Sequence, residues 1–518
     1  MEKNAGEKPP GPELVFGLVG ALGVDLDLVE KLLNDELKAV GYTAVGIRLS
    51  KLLHRTKVWN GEEKEKLDAK IEQHQEVGNL FAKEMKRADA LALLAINEIR
   101  KNRKEKGDPD RPQERRAYIL RQLKRPGEVT KLREVYGDAF FLVAMYSPKQ
   151  MRVEELGRRI AAAYHEPWMK DKHDHTATEL INRDQVEVDQ YGVEEFGQNV
   201  RDTFPLADAF LDVPNDQQPW RVQRQIERFI QLLFEYPFHT PTREEYVMFH
   251  AKAASVRSAD LSRQVGAAIA TKDGEIVAVG TNEVPKVGMP PNLGGQYWYP
   301  DDPDHRDFKA KEDQSLSRKK DTMAEILDRL QDWFILEKKD LPQEQKIDEA
   351  LRLIRGTQLM NIGEFGRTVH AEMAALLDAA RRGASVRGLF LYTTTFPCQN
   401  CAKHIIASGM SRVIYMEPYP KSYAGLLHAE EIVEGRTYVS KKISFGSFIG
   451  IAPRQYLRLF SMTTRKTADG KIPDWYASQE QSMPRFPAAT TFLAYLPRER
   501  AAVALLKGFL KEGSKLFA

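Results

Sequence analysis

Four residues of the C-terminal half have types and spacings suited to metal chemistry: His370, Glu372, Cys398 and Cys401. Two cysteines and one histidine form a zinc ligand set that leaves the fourth tetrahedral position open to water, whose pKa falls to about 7. A carboxylate two residues from the histidine can then move protons as general base and acid. The pattern predicts a catalytic Zn²⁺ centre with His370, Cys398 and Cys401 as ligands and Glu372 as the catalytic residue.

Two other interpretations of the cysteine pair are weaker. A structural zinc needs a fourth protein ligand, and the chain contains only two cysteines. A redox pair would leave His370 and Glu372 unexplained. The presence of only two cysteines also excludes a disulfide framework and favours a reducing compartment.

The surrounding elements must bring the two halves of the site together. The sequence predicts a helix from about His370 to Arg382, a strand at Leu389–Thr395, a helix at Cys398–Ser408 and a strand at Arg412–Met416. Both helices would begin at metal residues, so their positive ends favour ionised thiolates.

The segment before this site predicts a domain start and a hairpin. Prolines within 236–241 interrupt the pattern, and an amphipathic helix follows. Two β-rich runs, Gln264–Ala270 and Glu275–Gly280, flank an Asp-Gly turn. Residues 283–365 form a long charged interval, which we interpret as an insertion with some fold of its own, including a helix at Thr322–Glu337.

His-x-Glu followed by Pro-Cys-x-x-Cys is the signature of zinc nucleobase deaminases. From Thr242 to about Tyr423 the chain resembles the deoxycytidylate deaminase branch of the cytidine deaminase fold. Beyond the zinc motifs, the resemblance rests on Arg257-Ser258, on Arg263–Ala267 and on Gly280-Thr281-Asn282.

This resemblance implies further site residues. Asn282 would bind the sugar hydroxyl and the base, and the backbone N–H of Ala371 would hold the pyrimidine carbonyl. Tyr419 is placed to pack on the base, Lys421 could meet a phosphate, and Arg263 is a further substrate-binding candidate.

The N-terminal region predicts a strand at Glu13–Gly17, a glycine-rich turn and a helix from Asp25 to Val40. The predicted nucleotide-binding residues are Gly17, Gly20, Gly23 and Asp25. Such a turn can cradle a phosphate, but Val24 occupies the position of the expected lysine, and a tight packing turn remains the alternative.

Strand and helix alternation continues with Asp138–Met145 and Ser147–Ala163, which indicates a parallel sheet. The region resembles the nucleoside monophosphate kinase branch of P-loop folds. The lid candidates would be Arg152, Arg158, Arg159 and Arg183.

The predicted fold class is therefore α/β: a P-loop kinase-like parallel-sheet domain over 1–236, a cytidine deaminase-like α/β/α domain over 237–430 with its insertion, and a C-terminal extension over 431–518. The whole chain resembles the two-domain bacterial deoxycytidine nucleotide deaminases that act in anti-phage defence. The resemblance implies turnover of dCTP or dCMP, inhibition by an RNA and assembly into homo-oligomers. A site for ATP, dTTP or another nucleotide is expected in the first domain.

Composition limits the other function classes. The apolar fraction of 42% and the charged fraction of 29% are typical of a globular protein, and we expect a cytoplasmic location without membrane insertion. The net charge of +3 gives little attraction for a polyanion. Two alternatives remain open: a nucleic-acid-editing deaminase, and a non-catalytic nucleotide-sensing regulator.

Overall fold

The computed structural model describes residues 11–516 except 167, 186–187, 190–191, 194, 215–217, 287–294, 302, 312, 331–341, 355–365, 419–421, 437–440, 463–464 and 486–488. The chain forms two compact units. The first unit contains Met1–Glu187, Val193–Thr242 and Ile449–Ala518, and the second contains Val188–Gly192 and Arg243–Phe448.

The two main sheets have six strands each. The strands are β1 Leu14–Gly20, β2 Thr43–Arg48, β3 Arg116–Arg121, β4 Phe140–Tyr146, β5 Ala209–Asp212, β6 Gly266–Ala270, β7 Ile276–Thr281, β8 Phe390–Thr395, β9 Arg412–Glu417, β10 Ile432–Glu434, β11 Ile443–Ser447 and β12 Gly450–Ile451. The longer helices are α1 Leu26–Ala39, α2 Leu67–Met85, α3 Ala90–Lys104, α4 Pro126–Tyr136, α5 Lys149–Ala163, α6 Lys170–Gln185, α7 Pro219–Leu233, α8 Arg243–Ser255, α9 Gln314–Leu330, α10 Gln343–Leu353, α11 Ala371–Arg381, α12 Gln399–Ala407 and α13 Ala489–Ala504.

The first sheet has the order β2-β3-β1-β4-β5-β12. The strands β2 to β5 pair in parallel with their neighbours, and β12 is antiparallel to β5. Every residue of β1 is buried, as expected for a central parallel strand with both faces covered. The predicted parallel sheet of the N-terminal region is therefore present, and the predicted α/β class is confirmed.

The turn after β1 differs from the prediction. The strand continues to Gly20, so Gly17 and Gly20 are strand residues and only Gly23 belongs to the turn. A Cβ atom on Gly17 would lie 2.7 Å from the Leu123 side chain and 2.9 Å from Phe140, which makes Gly17 a packing residue. Asp25 caps α1, because its carboxylate accepts the Leu28 N–H at 3.0 Å.

A buried ion cluster joins the C-terminal segment to the first unit. Arg103 of α3 contacts Glu13 at 2.7 Å and Glu499 of α13 at 2.6 Å. Arg100 contacts Glu499 at 3.3 Å, and all four side chains are buried. The predicted extension 431–518 is divided between the two units. Its residues up to Phe448 belong to the second unit, and those from Ile449 belong to the first. Ion pairs between residues so distant in sequence leave no local signal.

The second sheet has the order β7-β6-β8-β9-β11-β10. The strand β8 is parallel to β9 and antiparallel to β6, and the hairpin β6–β7 forms as predicted. Two later strands, β11 and β10, extend the parallel part. The predicted helices and strands around the metal motifs correspond to α11, β8, α12 and β9, and no end differs by more than one residue.

The insertion contains two of the longer helices, α9 and α10, and a short helix at Asp307–Ala310. The predicted helix Thr322–Glu337 begins earlier, at Gln314, and residues 331–337 lie outside the described part of the chain. Within the described residues, no helix combines the length and apolar character needed to cross a membrane.

Small residues allow α11 to lie very close to the second sheet. A Cβ atom on Gly280 of β7 would be 2.2 Å from the Ala371 carbonyl oxygen and 2.3 Å from the Ala375 nitrogen. Both alanines are fully buried. No side chain fits between these backbones, so glycine at 280 sets the distance between the sheet and the start of α11.

We therefore expect Gly280→Ala to lower the unfolding free energy by about 1–3 kcal/mol, because the added methyl group meets backbone that has to shift. Chemical denaturation measures this. Gly425→Ala is the matched control in the same unit, since its Cβ would meet only the tip of the Glu434 side chain, at 2.7 Å. Equal stability of the two variants would contradict the packing argument.

Candidate active site

Two helix starts place the metal-motif residues opposite each other. His370 is the N-cap of α11, and Cys398 is the N-cap of α12. Glu372 and Cys401 lie in the first turns of these helices and are buried. The strand β8 separates the two motifs in sequence and ends at Thr395, directly before the cysteine motif.

The three predicted metal ligands converge. The Nδ1 atom of His370 lies 3.3 Å from the Sγ atom of Cys398 and 3.3 Å from that of Cys401. Tetrahedral zinc with Zn–S near 2.3 Å and Zn–N near 2.0 Å separates such atoms by about 3.5 Å. The donor set and its spacing therefore fit a zinc ion, and no fourth protein ligand belongs to this cluster among the described residues.

The carboxylate of Glu372 contacts one of the three donors. Its Oε2 atom lies 3.4 Å from the Sγ atom of Cys401. Burial raises the pKa of the Glu372 carboxyl above its ordinary value. A hydrogen bond with Cys401 lowers the pKa of Cys398 to about 4; His370 acts in the same direction, and burial opposes both. The site therefore favours the thiolate at Cys398, the form that binds metal.

A cavity of about 190 Å³ opens beside this centre. Glu372, His370 and Cys398 form one part of its lining. The remaining lining residues are Asp260, Ser262, Arg263, Val265, Asn282, Thr368, Ala371, Thr395 and Phe396. The cavity thus brings together two of the three predicted metal ligands, the acidic residue and three of the predicted substrate-binding residues.

Asn282 lines this cavity, but its side chain also has a structural role. Its Nδ2 atom donates to the Arg263 carbonyl at 2.7 Å, and its Oδ1 atom accepts the Val265 N–H at 2.7 Å. The amide therefore holds the loop that carries Arg263, which is exposed at the rim. Direct contact of Asn282 with a sugar stays a prediction.

The other predicted substrate contacts divide into two groups. Ala371 is the first residue of α11 and lines the cavity, and N–H groups of a first helical turn have no partner within their helix. This position suits its predicted contact with a carbonyl oxygen. Tyr419 and Lys421 lie outside the described residues.

Several cavity residues were not predicted from the sequence, among them Asp260 and Phe396. Asp260 accepts hydrogen bonds from Ser262 and Thr368 at 2.6 and 2.8 Å. Burial raises the pKa of Asp260, but these hydrogen bonds outweigh it, so the net shift is downward. Phe396 directly precedes the Pro-Cys motif, a position that could have identified it as an aromatic wall of the cavity.

The first unit contains the predicted P-loop-like residues at a second cavity, of about 390 Å³. Of the predicted glycines, only Gly23 lines it. Gly23 has a φ of +95°, and a Cβ there would meet the Arg152 carbonyl oxygen at 2.6 Å, so the position requires glycine.

The four lid candidates have different surroundings. Arg152 is buried and donates to the Ser147 carbonyl at 3.0 Å, which is a structural role. Arg158 pairs with Glu155 on the surface of α5. Arg183 contacts Glu76 at 3.7 Å, and only Arg159 lines the second cavity.

Comparison with known proteins identifies the region that carries the site. Residues 241–417 match the cytidine and deoxycytidylate deaminase zinc-binding region. The matched part is thus a zinc-binding region, in agreement with the predicted cofactor. A crystal structure of dCMP deaminase from the cyanophage S-TIM5 aligns with 19% identity over 40% of this chain and 99% of that chain, with a TM-score of 0.21.

Similar proteins include deoxycytidylate deaminase of Enterobacteria phage T2, which is 46% identical over 57 residues. That match covers 11% of this chain and 30% of the phage protein's own length. ComE operon protein 2 of Bacillus subtilis is 30% identical over 139 residues, which cover 27% of this chain and 69% of that protein. Together with the matched zinc-binding region, this similarity shows that the chain belongs to the cytidine and deoxycytidylate deaminase family.

Proposed function

We propose that the second unit hydrolytically deaminates free deoxycytidine nucleotides, converting dCMP or dCTP to the corresponding deoxyuridine nucleotide. The observation that carries this proposal is the position of the Glu372 carboxylate, 3.4 Å from the Sγ atom of Cys401, which converges with the donors of His370 and Cys398. Glu372, His370 and Cys398 line the same cavity as Ala371 and Asn282. A site that only bound a nucleotide would have no need of this acid.

Glu372 is the residue that moves protons in this proposal. A bound zinc ion supplies the Lewis acidity that lowers the pKa of a water molecule to about 7. Glu372 accepts a proton from the attacking water as its oxygen adds to C4 of cytosine, and delivers a proton to N3. It then transfers the second water proton to the N4 amino group, which leaves as ammonia. Burial raises the pKa of Glu372, which suits a group that holds a proton between transfers.

The size of the cavity and the charge of the chain support this substrate class. A cavity of about 190 Å³ encloses one small group, and we assign this position to the pyrimidine. The net charge of +3 supports a free nucleotide over a polynucleotide. Relatives named deoxycytidylate deaminases in phage T2 and in Mus musculus support the deoxycytidine nucleotide.

For the first unit we propose nucleotide binding without phosphoryl transfer. The order β2-β3-β1-β4-β5 places the carboxyl end of β1 at a switch point of a parallel sheet, where such folds bind ligands. Basic side chains at the adjacent cavity include Lys51, Arg121 and Arg159. Val24 in place of a lysine argues against kinase activity and for a regulatory site, with ATP or dTTP as candidate ligands.

The resemblance to anti-phage deaminases supports a wider role. Removal of deoxycytidine nucleotides would deplete a pool that viral replication requires. Inhibition by an RNA and assembly into homo-oligomers stay predictions from that resemblance.

The direct test is ammonia release from dC, dCMP, dCDP and dCTP by the zinc-loaded chain, with and without ATP and dTTP. We expect turnover of dCMP or dCTP. Because Glu372 moves every proton, Glu372→Gln should lower kcat by at least about 10²-fold. Its zinc content should equal that of the unsubstituted chain.

Asp378→Asn is the matched control, since Asp378 lies on the same helix and pairs with Arg382 at 2.9 Å. It should leave kcat unchanged. Absence of turnover with all four compounds, or full activity of Glu372→Gln, would contradict the proposal.

A phosphate contact by the exposed Arg263 would distinguish nucleotides from the nucleoside. We expect Arg263→Ala to raise KM for dCMP and dCTP by up to about fivefold, the range of a solvent-exposed charge pair, and to leave KM for deoxycytidine unchanged. Steady-state kinetics with the three compounds measure this. An equal rise in KM for deoxycytidine would contradict the phosphate contact and would leave Arg263 with a role in the structure of the loop only.

A further inference from the structure

Three residues of the first unit form a cluster that the deaminase proposal does not use. His54 lies in the short turn Leu53–Arg55, His74 lies on α2, and Glu63 lies between them in sequence. The two Nε2 atoms are 3.4 Å apart. The Oε1 atom of Glu63 is 3.6 Å from the Nε2 atom of His54 and 3.4 Å from the Nε2 atom of His74. Three donor atoms from separate segments therefore face one common point.

Neighbouring groups hold each donor in this orientation. The Nδ1 atom of His74 lies 2.8 Å from the Lys70 carbonyl oxygen, which can only accept, so this nitrogen carries a hydrogen and the neutral ring presents a lone pair at Nε2. Lys70 also contacts the other carboxylate oxygen of Glu63, Oε2, at 2.5 Å. The His54 ring stacks on Trp59 with centroids 3.8 Å apart. Such outer contacts are typical of metal-binding histidines and carboxylates.

When the His74 ring is neutral, its Nε2 lone pair faces the Oε1 atom of Glu63 at 3.4 Å. Two acceptors at this distance repel unless a proton or a cation lies between them. Two histidines and one carboxylate are a ligand set of zinc enzymes and of non-haem iron enzymes.

The spacing of the donors favours tetrahedral geometry. Metal–ligand distances of about 2.0–2.2 Å separate the ligands of a tetrahedral ion by about 3.3–3.6 Å, and those of an octahedral ion by about 2.8–3.1 Å. The observed separations are 3.4, 3.6 and 3.4 Å. They agree with the tetrahedral value, which zinc prefers.

We propose that His54, Glu63 and His74 bind a second zinc ion, in the first unit and independent of the deaminase centre. Glu63 and His74 also line the cavity of about 390 Å³ that contains Lys51, Arg121 and Arg159. A three-residue site leaves one zinc position for another ligand. The basic lining makes a phosphorylated molecule the class of ligand that fits beside it.

The test is a zinc count on the full chain. Metal-free protein is titrated with Zn²⁺ against a chromophoric chelator. The unsubstituted chain should bind two equivalents, and His74→Gln and Glu63→Gln should each bind one. Cys398→Ser combined with Cys401→Ser should also bind one, because it removes only the deaminase centre. His175→Gln is the control, since this exposed histidine lies outside the cluster and should keep two.

Circular dichroism establishes that each variant is folded. A second measurement does not depend on substituting the cluster: Co²⁺ bound to the double cysteine variant should give the strong visible absorption of a four-coordinate ion, without sulfur charge-transfer bands. One equivalent in the unsubstituted chain, or none in the double cysteine variant, would overturn the proposal. Two equivalents retained by both His74→Gln and Glu63→Gln would also overturn it.

Discussion

The close approach of α11 to β7 is the constraint on which the deaminase site depends. Gly280 allows the Ala371 and Ala375 backbones to pack directly against the strand, where a Cβ atom would lie 2.2 Å from a carbonyl oxygen. The first turn of α11 is thereby fixed, and with it His370 and Glu372. The cysteine helix α12 begins shortly after β8 and packs against α11, so the distance between the two motifs depends on this packing.

Electrostatics then complete the arrangement. Two helix N-termini lie at the site, and their positive potential favours a thiolate. The lowered pKa of Cys398 and the raised pKa of Glu372 arise from the same enclosed surroundings through different causes: contact with Cys401 and His370 in one case, and burial in the other. One site can thus hold an anionic ligand and a carboxyl group able to carry a proton.

The sequence predicted the deaminase domain well because its information is local. The metal residues lie at helix starts, the intervening strand is short and rich in aromatic and β-branched residues, and the Asp-Gly turn marks the hairpin. Other features depend on distant contacts. Neither the burial of Gly17 between Leu123 and Phe140 nor the pairing of Glu499 with Arg103 has a local pattern. His54, Glu63 and His74 have no recognised motif spacing, so only the fold of the first unit brings them together.

The proposed deamination depends on one zinc ion and on the carboxylate of Glu372. The most direct measurement is an anomalous difference map at the zinc absorption edge from crystals of the zinc-loaded protein. We predict a peak within bonding distance of the Nδ1 atom of His370 and the Sγ atoms of Cys398 and Cys401, with Glu372 near the metal but not bound to it. A peak with a fourth protein ligand, or no peak between these three residues, would contradict the account.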